Sequence, residues 1–434
     1  MRAGNHNAIV PVPYCLNIHK TDTLSDVYAA IEGYTCAVRE RIVFSQRRGD
    51  AETQKKDFYP VGLRLSAEAA RELLKGDVGA DPCVRLGAHT GAPLPAFRAF
   101  LDERHLYVTG INGFPYDAFH GEPVKEAVYK PDWSTPERFA YTCDLVDILA
   151  GLLPEGEVGS ITTMPLTYWT LCPDGYKYEL YARQITMVAI VLDKLYRETG
   201  KHIVLAIEPE PCCLLEDTDF FIGWFENMFL PEGKRWMCLD QRHAPAEAEE
   251  ILRRHVGICF DTCHFSVMSE NPLESVKQIE DAGIRIARVQ LSAAIRATIT
   301  SRHVLEALLA FAEPVYLHQV IARQPWRPHK LHVRFFDLPT TDSSSFPYLL
   351  KNLAGCEVRS HFHVPLFWEG NEVIGSTHGD LSPELFAHVT AKHYPLEIET
   401  YTFDVLPAEL KEKDVVENLV RETEWVMERI AAAV

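Results

Sequence analysis

Short runs of β-branched and aromatic residues recur along the whole chain, each followed by a longer stretch whose apolar positions have helical spacing. That alternation predicts βα units around a parallel sheet. Eight candidate strands can be read: Val12 to His19, Pro60 to Leu65, His105 to Ile111, Gly159 to Met164, His202 to Glu208, Val256 to Asp261, Ile286 to Leu291 and Pro395 to Thr400. Eight such units predict a (β/α)8 barrel, and residues 1–434 fit one barrel domain because α/β barrels with insertions reach this length. Helix signals agree: Thr23 with Asp26 and Ser134 with Glu137 have capping-box spacing, and the pattern 180–199 ends on Gly200, suited to a left-handed cap.

Two stretches exceed a minimal barrel. Residues 46–57 form a polar connection after the first helix, and residues 295–357 separate the seventh and eighth strands. The second is predicted to overhang the barrel mouth, as a lid or as decoration.

Charge narrows the partners. With 43 basic and 61 acidic residues the net charge is −18, which repels polyphosphate and disfavours nucleic acid. No stretch approaches the roughly 20 apolar residues of a membrane span, and Met1 to Val10 lacks the apolar run of a secretory signal, so a soluble cytoplasmic protein with a small-molecule partner is expected. The 11 cysteines have no paired CxxC spacing, which argues against a zinc ribbon or a disulfide framework, and the oligomeric state is open.

The chemistry gathers at the ends of the later strands, where a barrel builds its active site. Strand five ends in Glu208; strand six ends in Asp261 and is followed by His264; strand seven supplies Gln290; strand eight supplies Glu397 and Glu399 on one face. Carboxylates ending apolar strands are costly to bury alone, and a divalent cation relieves that cost. An oxygen-rich set suits Mn²⁺ or Mg²⁺, whereas added imidazoles favour Zn²⁺ or Fe²⁺. His361 and His363, at i and i+2 in an extended segment, point the same way and with His264 make a three-histidine group, able to hold a second ion or to orient a substrate. Asn17, His19, Asn112, Tyr116 and His120 fall at the ends of strands one and three, as candidate substrate contacts or ordinary rim residues.

The order Ile-Glu, then Gly-Ile-Cys-Phe-Asp-Thr-Cys-His, then Pro-Leu-Glu-Ile-Glu-Thr resembles the xylose-isomerase-like TIM barrels, which include endonuclease IV and the ketose epimerases. YCLNIH (14–19), INGFPYDAFHG (111–121), FAEPVYLHQVIAR (311–323), HFHVPLF (361–367) and ETYTFDVLP (399–407) resemble the EboE-like barrels of bacterial metabolite-traffic gene clusters. The resemblance implies a metal held by Glu208, Asp261 and Glu399, with Gln290 where a histidine is usual. His264 and His363 resemble outer ligands of the endonuclease, and His361 stands in the place of an aspartate. It further implies a metal-dependent isomerase, epimerase or lyase for a sugar, cyclitol or secondary-metabolite precursor, with Glu208, Glu399 and His264 catalytic. Phosphoester hydrolysis and non-catalytic metabolite binding are the competing expectations.

Overall fold

The computed structural model describes residues 12–47, 58–75, 93–121, 123–172, 175–240, 242–324, 327–340 and 346–433. Most of the polar connection 46–57 lies outside these residues. Six strands come first: β1 (Tyr59–Arg64), β2 (Leu106–Asn112), β3 (Val158–Thr163), β4 (His202–Ile207), β5 (Val256–Asp261) and β6 (Arg285–Leu291). After them come β7 (Ala293–Thr298), β8 (Val320–Gln324), β9 (Arg327–Phe335), β10 (Glu357–Val364), β11 (Gly375–Ser376) and β12 (Leu396–Ile398). Strands β1 to β6 and then β12 pair in sequence, all parallel.

The first predicted strand is much shorter than the sequence predicts. Tyr14 pairs with Ile398 and Cys15 with Gly62, both parallel, and this bridge joins β12 to β1 and closes the barrel. The expected strand Val12 to His19 then curls into a 3-10 turn, Leu16–Ile18, in which His19 donates its N–H to the carbonyl of Leu16. The turn carries Asn17 inward, where its amide donates to Glu399 Oε1 at 2.5 Å.

Alternation along β4 separates two cores. Ile203, Leu205 and Ile207 pack with the surrounding helices, whereas Val204 and Ala206 join Cys259 and Ala287 in a separate cluster inside the barrel. The long helix Tyr178–Thr199 ends as expected on Gly200 at φ 73°, and Thr23 and Asp26 form their reciprocal cap. The cap at Ser134 does not form. The helix begins at Pro136, and Ser134 donates its hydroxyl to Asp132 instead. No helix among the described residues is long and apolar enough to cross a membrane.

The extra unit is larger than residues 295–357. It is an antiparallel sheet ordered β11-β7-β10-β8-β9, starting directly after β6 and extending through Ser376. Three contacts fasten it to the C-terminal end of the barrel: Arg334 with Glu216 at 2.7 Å, Lys125 with Asp337 at 2.6 Å, and Arg359 to the carbonyl of Ser266 at 2.6 Å. It therefore forms a wall of the site.

One buried acid gives a stability prediction. Glu422, on helix Val415–Ala433, accepts from Leu366 N and Thr400 Oγ1 on one oxygen and faces the Asn418 amide at 3.0 Å with the other. Burial pushes its carboxyl up to about 7. Because the folded value is raised, the native state holds the proton more tightly; this stabilisation is full below the ordinary value and is lost as pH rises through about 7. At about 1.4 kcal/mol per unit, the loss between about pH 5 and about pH 8 is about 2.5 kcal/mol. Glu422→Gln should remove that slope, leaving the variant more stable than the parent at the higher pH. Denaturant midpoints at both pH values check this.

Candidate functional site

Four strand ends bring the site together. Glu208 follows β4, Asp261 ends β5, Gln290 lies on β6 in register with Asp261, and Glu399 follows β12 with its N–H bonded to the carbonyl of Leu291 at 3.1 Å. All four side chains are buried. One oxygen each of Glu208, Asp261 and Glu399 falls in a group whose members lie within 4.8 Å of one another. Glu208 Oε2, Asp261 Oδ2 and Glu399 Oε2 have no hydrogen-bond donor. Three buried, donorless carboxylate oxygens from three strands are the arrangement a divalent cation relieves.

Their neighbours set the protonation. Burial, then the charges of Asp261 and Glu210, push Glu208 well above the usual carboxylate range; burial and Glu208 do the same to Glu399. At Asp261 burial also works upward, but His264, His363 and the 2.7 Å hydrogen bond from Ser292 outweigh it and hold this acid low. Asp261 also caps the short helix Thr262–Val267 by accepting from His264 N, which places His264 one turn beyond the strand.

The three histidines converge as the sequence predicts, because β10 of the side sheet presents His361 and His363 to the barrel end. His264 Nε2 lies 3.1 Å from His361 Nε2, which lies 3.1 Å from His363 Nε2. Tautomers decide what these contacts are. His264 Nδ1 donates to the carbonyl of Pro209 at 2.8 Å and His363 Nδ1 to the carbonyl of Glu399 at 2.9 Å. His361 Nδ1 donates to Gln319 Oε1 at 2.8 Å, and the orientation of that amide is set by its own donation to Glu210 Oε1. Burial first, then the neighbouring imidazoles, lower the affinity of His361 for a second proton, and burial brings His363 to about 4. The Nε2 atoms of His361 and His363 are thus bare lone pairs, and no hydrogen stands between those two. Two nitrogens around a shared tetrahedral ion at about 2.0–2.1 Å sit about 3.3 Å apart, close to the separation here. Asp261 belongs to both groups: it lies within 4.8 Å of His264 and His363 as well as of Glu208 and Glu399.

Other expectations fare differently. Gln290 Oε1 accepts from the Cys259 thiol at 2.9 Å and its Nε2 has no partner, so this amide presents its nitrogen, and ligation requires it to turn over. Asn17 and Asn112 line a cavity together with Glu208, His264, His361 and Glu399. His19 does not line it; its Nε2 meets the Tyr14 hydroxyl and its ring stacks on Tyr34. Tyr116 and His120 face an adjoining cavity, and both His120 nitrogens are engaged, with the Asn17 carbonyl and with Tyr316. The rim position of these three residues was legible, but the direction of each side chain depends on partners distant in sequence.

Glu210 was missed. It sits 3.3 Å from His361 Nδ1 and accepts from Tyr129 at 2.7 Å. Its i+2 spacing from Glu208 in Glu-Pro-Glu-Pro was the available signal. Tyr401, two residues beyond Glu399, also lines the cavity, with its hydroxyl 3.5 Å from His361 Nε2.

No protein family matches the chain, and no curated protein matches it. Solved structures similar in fold include the IOLI protein with a binding zinc atom, 11% identical over 98% of this chain and 99% of that one, with a TM-score of 0.43. Another is a xylose isomerase-like TIM barrel protein from Mycobacterium smegmatis in complex with magnesium, 11% identical over 80% of each chain, with a TM-score of 0.42. A third is the probable 3-DHS dehydratase AsbF from Bacillus anthracis, 11% identical over 90% of this chain and 96% of that one, with a TM-score of 0.38.

Proposed function

We infer that the chain is a divalent-metal-dependent isomerase or epimerase of a small hydroxylated metabolite, a member of the xylose-isomerase-like barrels and EboE-like in its motifs. One observation carries the reading: Glu208, Asp261 and Glu399 form one buried group, each holds a buried oxygen without a partner, and Glu208 and Glu399 line the cavity. These residues fit a divalent ion and would hold it. When bound, the ion supplies a Lewis acid for two vicinal oxygens of a hydroxy-ketone. Glu208 and Glu399 stand on barrel staves with β5 and β6 between them. One carboxylate is placed to take the proton from the carbon between the substrate oxygens, and the other to return a proton from the opposite side. Asn17 holds Glu399 in orientation through its 2.5 Å bond.

The imidazole group supports a second reading, phosphoester hydrolysis with two ions, in which Asp261 would serve both ligand groups. Two measurements separate the readings. Elemental analysis of protein purified without added metal gives the ion content, expected at about one to two equivalents for the ligand sets present. Proton NMR in heavy water with hydroxyacetone then follows exchange at the carbon beside the carbonyl. Exchange that needs metal supports isomerisation; release of nitrophenol from bis(nitrophenyl) phosphate without exchange supports hydrolysis; neither activity overturns the enzymatic reading.

A further inference from the structure

Resting on the isomerase reading, we propose that the substrate is amphipathic, with a hydroxy-ketone head of two or three oxygens at the carboxylate group and an aryl arm against the apolar lining of the cavity. The hydrogen-bonding capacity of the cavity is nearly spent on the protein itself. All three protons of the Lys125 ammonium are used, on the carbonyls of Glu313 and Tyr316 and on Asp337, at 2.9, 2.6 and 2.6 Å. Asn112 donates to Cys15 Sγ and accepts from Phe114 N. The Tyr129 hydroxyl donates to Glu210 and accepts from Gln319.

Tyr316 is committed as well. His120 Nε2 donates to the Asn17 carbonyl at 2.6 Å, so its Nδ1 is an acceptor, and Tyr316 donates to it at 2.7 Å. What these tyrosines offer the cavity is ring carbon. Among the described residues, the unpartnered polar atoms that line it are Asn17 Oδ1, Glu208 Oε2 and Glu399 Oε2, all buried, beside the lone pair of His361 Nε2.

Phe114, Phe119, Val124, Val128 and Leu317 also line the cavity. Phe119, Tyr316 and Tyr401 pack edge to face or tilted, with centroids 5.0 to 5.4 Å apart, and so form a continuous aromatic wall. A linear polyol with four or five hydroxyls would bury most of them against this wall unpaired, at a cost of about 1–3 kcal/mol each. An aryl arm covers the same surface and gains from it.

The test uses three probes on the cobalt-loaded protein, followed by the visible spectrum of the metal: hydroxyacetone (head alone), fructose (head and polyol), and 1-hydroxy-4-phenylbutan-2-one (head and arm). The arm-bearing probe is expected to bind at least about 30-fold tighter than hydroxyacetone, and fructose no tighter. Val128→Asn and Leu317→Asn should each reduce that preference about tenfold or more, with the cobalt spectrum confirming a folded, loaded site. Fructose binding tighter than the aryl probe, or a preference unmoved by both variants, overturns the proposal. If no probe perturbs the cobalt spectrum, the isomerase reading fails, and calorimetry with 3-phenylpropanol, an arm without a head, decides the arm separately. Binding that both variants weaken supports the apolar subsite, and absence of binding overturns it.

Discussion

Asp261→Ala is expected to remove bound metal from both the carboxylate and the imidazole groups, because Asp261 is the one residue common to the two. Loss of a bridging carboxylate leaves Glu208 and Glu399 as two acids whose buried neutral forms are favoured, and leaves His264 and His363 without the anion beside them. Metal affinity should fall at least about tenfold, since removing even a hydrogen-bond partner of a metal ligand costs about 10–100-fold. Asp261 also caps helix Thr262–Val267, so the alanine variant loses a cap worth about 1 kcal/mol while shedding a buried anion. The barrel should stay folded. Asp261→Asn separates the roles, since its amide oxygen keeps the cap but not the charge: both variants should lose metal, and only the alanine should lose the cap. Elemental analysis and thermal unfolding with and without added zinc measure this, and unchanged metal content in both variants would sink the assignment.

Much of the barrel was legible because its signals are local. An apolar run that ends in an acid announces itself in the sequence, and β4, β5 and β6 fall where those runs stand, with Glu208, Asp261 and Gln290 at the site end. The His-Phe-His pair was legible for the same reason: alternation in an extended segment puts both rings on one side. The first stave misled because Tyr14 and Cys15 read as part of a longer strand, whereas only two residues are needed to bridge β12 to β1 before the chain turns inward. The side sheet was understated because antiparallel partners such as β7 and β10 are paired by contacts some 60 residues apart, and periodicity carries no information about pairing at that distance. Glu210 and Gln319 escaped because their importance lies in orienting His361. Second-sphere partners have no spacing rule in sequence.

The floor of the site leads to the other large expected effect, at a position with no side chain. Arg288 and Glu397 are buried inside the barrel beneath Gln290 and Glu399, two residues below each on the same face, and are joined at 2.7 Å. Arg288 also reaches Ser160 at 3.1 Å. A Cβ on Gly110 would lie 1.2 Å from Arg288 Nη2, so Gly110→Ala forces the buried guanidinium away from its place beside Glu397. Breaking a buried pair costs about 3–5 kcal/mol, and Gly110→Ala is expected to destabilise by that amount. The cause is testable by rescue. In an Arg288→Met, Glu397→Gln background the charges are gone and the Met side chain can yield, so the same Gly110→Ala change should cost less than about 1 kcal/mol. Gly62 gives the contrasting case: a Cβ there meets Glu397 Oε1 at 2.1 Å but also the Tyr14 carbonyl at 2.5 Å, and backbone does not yield. Gly62→Ala should therefore stay destabilising in the background that rescues Gly110→Ala. Denaturant unfolding of the six proteins distinguishes a side-chain collision from a backbone one, and equal rescue of both would show that the charge pair is not what holds the floor of the site.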